Sequence, residues 1–233
     1  MVDQTVLLVT GSRKGIGRLI AEYYLQKNYI VVGCSRGESD LIHNNYKHFA
    51  IDVADEKSVK QLFRDINQTF GRLDVLINNA GIASMNHALL TSIDTVHKIL
   101  NTNVVGSFLF ARESAKIMLR AKYGRIINFS TVAVPIKLEG EAIYAASKSA
   151  VNSLTHILAK EFAVYGITVN AIGPTPVKTD LIKNVPPQKI ENLTKQIPLQ
   201  RLGEISDIIN VLDFYINPES DYITGQIIYL GGL

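Results

Sequence analysis

Short, continuously apolar runs alternate with longer segments of helical period along the whole chain, and this alternation limits the folds open to it. Thr5 to Thr10 is a β-branched apolar run, Gly11 to Gly17 a glycine-rich turn, and Ile16 to Lys27 a helix. Six further strands are predicted at Tyr29–Ser35, Phe49–Val53, Leu73–Asn78, Arg125–Ser130, Ile167–Ile172 and Ile227–Leu230. Helices are predicted over Asp55–Phe70, over Ile93–Lys122 with a break near Asn101–Asn103, over Ile143–Tyr165 and around Ile205–Tyr215. In the Ile143 helix, Val151, Leu154, Ile157, Leu158 and Phe162 recur at helical spacing. Strands that are apolar throughout need cover on both faces, and helices between them supply it. The expected fold is therefore α/β, a doubly wound parallel sheet of about seven strands with helices on both faces.

With 233 residues and no shift of composition along its length, the chain reads as one domain, 1–233. A net charge of +3 with no Lys/Arg run gives no reason to expect nucleic acid. The longest apolar stretches, such as Val104 to Ala111, are too short and too polar to span a bilayer, and no signal peptide is visible. Cys34 is the only cysteine, which excludes an intrachain disulfide and points to a cytoplasmic location. The five histidines lack HxxxH or HExxH spacing, so no metal site is expected.

The turn Thr10-Gly11-Ser12-Arg13-Lys14-Gly15-Ile16-Gly17 lies between a strand and a helix. Glycines there allow a tight turn and close approach of phosphate to the backbone. The helix N-terminus adds free N–H groups and a positive dipole, so a Rossmann-type dinucleotide site is expected at Gly11 to Gly17. The second strand ends in Ser35 and Arg36, where an NAD site would place a carboxylate for the ribose hydroxyls. Lys14 and Arg36, with no acid at the end of that strand, fit a 2′-phosphate, so NADP(H) is favoured over NAD(H).

Tyr144 and Lys148 are four residues apart at the start of a helical stretch, which places them on one face, a turn apart. A phenol ordinarily titrates at about 10, and a neighbouring ammonium pulls that value down. The pair is thus suited to exchange a proton with a carbonyl or alcohol oxygen.

Over nearly its whole length the chain resembles the short-chain dehydrogenase/reductase family. TGSRKGIG at 10–17 matches the cofactor turn, Asn78-Asn79-Ala80-Gly81 the NNAG element, and Asp52-Val53 the pair that contacts adenine. Asn103 to Gly106 matches NxxG, Tyr144 and Lys148 match YxxxK, and Pro174 to Asp180 resembles the loop that meets nicotinamide, with Val177 and Thr179 on it. Within the family the chain is most similar to 3-oxoacyl-(acyl carrier protein) reductases. The resemblance implies that Tyr144 protonates the substrate carbonyl, that Lys148 lowers the Tyr144 pKa and holds the nicotinamide ribose, and that Asn103 keeps a water linking Lys148 to solvent. It also implies a hydroxyl thirteen residues before the tyrosine, which here is Thr131, with Ser130 expected to face the other way. A homo-oligomer, dimer or tetramer, is implied as well.

Two positions depart from the family pattern. Thr131 replaces the usual serine, and Pro174-Thr175 replaces Pro-Gly and is followed by Pro176. A substrate lid is expected at about 181–199. Lys122 and Lys183 are available to an anionic carrier, whereas Tyr165 stands where a basic residue is expected in carrier-dependent members. The expected activity is NADPH-dependent reduction of a ketone, carrier-bound or free, with 3-oxoacyl thioesters, sugars, steroids and polyketides as substrate classes. The alternative from another class is a silent NADP(H)-sensing protein, against which the complete set Asn103, Thr131, Tyr144 and Lys148 argues.

Overall fold

A computed structural model describes residues 4–177 and 187–233; Thr179 and the first part of the expected lid lie outside the described residues. Seven strands form one sheet: β1 (Val6–Thr10), β2 (Ile30–Ser35), β3 (Tyr46–Ala50), β4 (Val75–Asn78), β5 (Gly124–Phe129), β6 (Ile167–Gly173) and β7 (Ile227–Tyr229). Their order is β3-β2-β1-β4-β5-β6-β7, and every neighbouring pair is parallel. The described helices are α1 (Gly15–Gln26), α2 (Glu56–Phe70), α3 (Ile93–Leu100), α4 (Gly106–Ala121), α5 (Ala133–Ile136), α6 (Ala142–Phe162), α7 (Pro187–Gln196) and α8 (Ile205–Ile216).

Side chains alternate across each strand, so the sheet feeds two cores. Leu8, Val32, Leu76, Ile126 and Val169 pack under α2, α4 and α6 through Leu62, Phe110 and Leu158. Leu7, Val9, Val31, Ile77 and Ile127 pack under α1 and α8 through Ile20, Tyr24, Leu212 and Tyr215. This is the doubly wound Rossmann-type arrangement. Strand order reverses between β1 and β4, and the crevice beyond their carboxyl ends is where such sheets take ligands.

Two elements differ from the sequence expectation, and an expected break is found. β3 lies three residues earlier than Phe49–Val53, because an edge strand of half-buried and exposed residues lacks the continuous apolar run that marks a central one. Val53 is buried below the strand, against α4, rather than within it. The short helix α5 was not expected. The break near Asn101–Asn103 is a π-helical turn, Asn101–Val105, joining α3 to α4, of a kind often found at functional sites. Ile157, grouped with the core stripe of α6, is instead half exposed, and Val105, Phe108 and Leu119 of the π-turn and α4 are also exposed.

Candidate active site

The glycine turn is braced on two sides. From β2, the Cys34 carbonyl accepts from Gly11 N at 2.8 Å and from Ser12 N at 3.2 Å. From the segment after β4, Asn79 Nδ2 donates to the Thr10 carbonyl at 2.8 Å, and Ala80 N donates to Thr10 Oγ1 at 2.9 Å. Gly17 packs so closely that a β-carbon there would overlap the Gly11 carbonyl and the Asn79 amide. Lys14 is the N-cap of α1 but makes no side-chain capping bond, and no acid lies in the first turn. Gly15 has no neighbour within 4 Å of a would-be β-carbon, so the backbone there is open to a ligand. Ile16 anchors the helix start in the α1/α8 core. Arg13, Lys14 and Arg36 are exposed around the end of β2, and Arg13 packs over Gly37. Asp52 is exposed and accepts from Ala54 N at 2.9 Å, with Val53 buried beside it. A dinucleotide fits these residues: uncapped N–H groups and a positive dipole for its pyrophosphate, and cations rather than an acid at the ribose end.

Beyond the β4 and β5 ends the polar residues converge. Asn103, on the π-turn, is fully buried; its Oδ1 accepts from Ile82 N at 2.9 Å, and its Nδ2 donates to Ile82 O at 2.9 Å and to Ser147 Oγ at 3.0 Å. A β-carbon on Gly81 would lie 3.3 Å from both Asn103 Oδ1 and Lys148 Nζ, which places Gly81 against the two. Lys148 Nζ donates to the carbonyl of Phe129, the last residue of β5, at 2.7 Å. Just past that strand, the Thr131 hydroxyl accepts from Ala133 N at 3.2 Å and lies close enough to the Tyr144 phenol to favour its ionised form. Ser130 is buried with a hydroxyl that has no partner. The structure thus brings Asn103, Thr131, Tyr144 and Lys148 together beyond the β4 and β5 ends.

The electrostatics differ from the sequence expectation in one respect. Burial pushes the Tyr144 phenol up to about 12; the nearby Thr131 hydroxyl pulls it down, the Glu141 charge pushes it up, and Lys148 is not among the groups acting on it. The reason lies in Lys148 itself. Its amine is buried, which brings it down to about 8, and it is turned to the Phe129 carbonyl. Glu141 escaped the sequence analysis. It is the N-cap of α6, three residues before Tyr144 and so on the same helix face. Burial raises its carboxyl, and an acid one turn before the tyrosine was the signal available.

In the loop after β6, Thr175 is buried, and its hydroxyl accepts from Gly203 N at 2.8 Å. Val177 forms a bridge with Gly203, and the Pro174 carbonyl accepts from Val132 N at 3.3 Å, beside Thr131. The threonine that replaces glycine therefore ties this loop to the segment leading into α8.

A family model described as enoyl-(acyl carrier protein) reductase matches residues 11–232. The 3-oxoacyl-(acyl-carrier-protein) reductase FabG of Vibrio cholerae is 33% identical, over 99% of this chain and 97% of its own. FabG of Staphylococcus aureus is 35% identical, over 97% and 96%. Among solved structures, ElxO with NADP bound superposes with a TM-score of 0.90 at 30% identity, covering 97% of each chain. Ligand-free aldohexose dehydrogenase of Thermoplasma acidophilum gives 0.91 at 29% identity, over 99% of this chain and 94% of its own. Full-length likeness of this kind, with the fold and the converging residues above, makes the chain an oxidoreductase of the short-chain dehydrogenase/reductase family.

Proposed function

We propose that the chain reduces a ketone to a secondary alcohol with NADPH, Tyr144 acting as the general acid. The observation that carries this reading is the convergence of buried Asn103, Thr131 and Lys148 beyond the β4 and β5 ends, with Tyr144 one helical turn before Lys148. When bound, nicotinamide supplies the hydride. Gly11 to Gly17 would hold its pyrophosphate, Asp52, Val53 and Asn79 to Gly81 its adenosine side, Ser35 and Arg36 the 2′-phosphate, and Pro174, Val177 and Thr179 the nicotinamide end. Thr131 donates to the substrate carbonyl oxygen and stabilises its developing charge. The Tyr144 hydroxyl gives its proton to the same oxygen, and Lys148, with Asn103 behind it, restores that proton. A phenol raised to about 12 is fully protonated at neutral pH, the form that reduction requires.

The preference for NADPH rests on Arg13, Lys14 and Arg36 and the absence of a carboxylate at the end of β2, and the NADP-bound relative accords with it. A 3-oxoacyl thioester is the leading substrate class, because relatives 33–35% identical are 3-oxoacyl-(acyl-carrier-protein) reductases. One domain is proposed, with a substrate lid at about 181–199 whose described part, 187–199, includes α7. The buried lone cysteine accords with a cytoplasmic site of action, and among the described residues no helix is long and apolar enough to cross a membrane. Copies of the chain associate through the outward apolar residues of α4 and α6. The decisive assay follows NADPH absorbance with a ketone panel that includes a 3-oxoacyl thioester. Native turnover lost in Tyr144→Phe, with NADPH binding kept, is the expected result; Tyr144→Phe turning over at the native rate overturns the reading.

A further inference from the structure

Two residues of the edge strand β3, Tyr46 and His48, have no part in the reading above. Two apart on a strand, they share a face, and both reach the ribose end of the cofactor crevice. His48 Nε2 lies 3.0 Å from the Gly37 carbonyl. A carbonyl only accepts, so in the neutral imidazole Nε2 carries the proton and Nδ1 is left as an acceptor. Nδ1 then receives the Tyr46 hydroxyl at 2.9 Å. The Tyr46 oxygen in turn lies 3.0 Å from Ser12 Oγ, on the fully buried Ser12 of the glycine turn. Ser35 Oγ closes the set, 3.1 Å from Nε2 and donating to the Gly37 carbonyl at 2.8 Å. The hydrogen bonds run in one direction, from Ser12 through Tyr46 and His48 to Gly37.

Room for this relay comes from Gly33, where a β-carbon would overlap both the Tyr46 hydroxyl and Ser12 Oγ. What the relay holds is specific. Gly37 follows Arg36, and the Arg13 guanidinium lies 3.5 Å from where a Gly37 β-carbon would be. The glycine turn carries Arg13 and the loop after β2 carries Arg36, and His48 sits between the two segments.

We infer that His48 is a positioning residue for cofactor selection. By holding the Gly37 carbonyl and the Ser35 hydroxyl it fixes Arg13 and Arg36 relative to each other, and so favours a dinucleotide bearing a 2′-phosphate over one without. The inference rests on the NADPH reading above. Its energetic scale is that of one hydrogen bond acting through charged partners, roughly tenfold in affinity.

The test measures dissociation constants for NADPH and NADH by calorimetry on the purified chain, with no turnover involved. His48→Gln keeps an amide donor near the Nε2 position; His48→Asn places its amide near Nδ1 and leaves the Gly37 carbonyl without a donor. The expected result is native selectivity in His48→Gln, with NADPH affinity about tenfold weaker and NADH affinity held within about twofold in His48→Asn and His48→Ala. The two amide variants are close in size and polarity, so they separate the role even if His48→Ala does not fold. Equal losses for both cofactors, or an unchanged NADPH to NADH ratio in His48→Asn, overturn the inference alone. A native chain that binds both cofactors equally overturns the NADPH reading together with it.

Discussion

On the proposed reading, Glu141, Tyr144 and Lys148 at the start of α6 set the chemistry, and burial shifts the pKa of each. Tyr144 and Lys148 were legible in the sequence because a spacing of four on a helix is a geometric statement. The direction of the phenol's shift was not legible, since it depends on how deeply each group is buried and on where the Lys148 amine points. Glu141 matters for the same reason. Its carboxylate charge opposes formation of the phenolate and so raises the Tyr144 pKa. Alcohol oxidation needs the phenolate as base, and its rate climbs as pH approaches that pKa. Glu141→Gln removes the opposing charge, lowers the phenol pKa, and should move the rising limb of kcat/KM for oxidation to lower pH. A pH–rate profile with NADP and a secondary alcohol reads this directly; a limb that stays in place separates Glu141 from the proton transfer.

At the scale of elements, the central strands and the long helices were legible because each must present an apolar face. β1, β2, β4, β5 and β6 fall within one or two residues of their expected bounds, the scatter usual at element ends. β3 was misplaced because an edge strand alternates weakly, and that error hid Tyr46 and His48. Thr175 shows a different limit. The sequence marks it as a departure from Pro-Gly, but only the fold reveals that its hydroxyl is the acceptor for Gly203 N–H. Thr175→Ala would leave that buried N–H without a partner, at a cost of about 1–3 kcal/mol, while Thr175→Ser keeps the acceptor. For a chain of this size the alanine variant should melt roughly 2–4 °C lower per kcal/mol lost, with the serine variant near native. Equal melting temperatures for the two would show that the hydroxyl holds nothing.

Across the whole molecule, the sheet covers one face of α4 and α6 and leaves apolar side chains on the other. Ile157 is 50% exposed, and Val164, just past α6, is 79% exposed. A second copy laid on this face would bury them, and each fully buried aliphatic side chain contributes about 1.5–3 kcal/mol. The mass in solution should therefore be a multiple of 25.7 kDa, and Ile157→Glu should drive it toward the single chain; light scattering that finds the native chain monomeric refutes the association. The thiol of Cys34 has a consequence of another kind. It is the chain's one sulfhydryl, it lies wholly inside β2 beneath the glycine turn, and burial pushes it up to about 12. A thiol reagent reaches it only when β2 opens, so the labelling half-time serves as a built-in clock for the cofactor half of the molecule. A dinucleotide that binds only the closed form slows that clock by one plus the ratio of its concentration to its Kd. Cofactor affinity is then readable from a single chemical tag, before any substrate has been found.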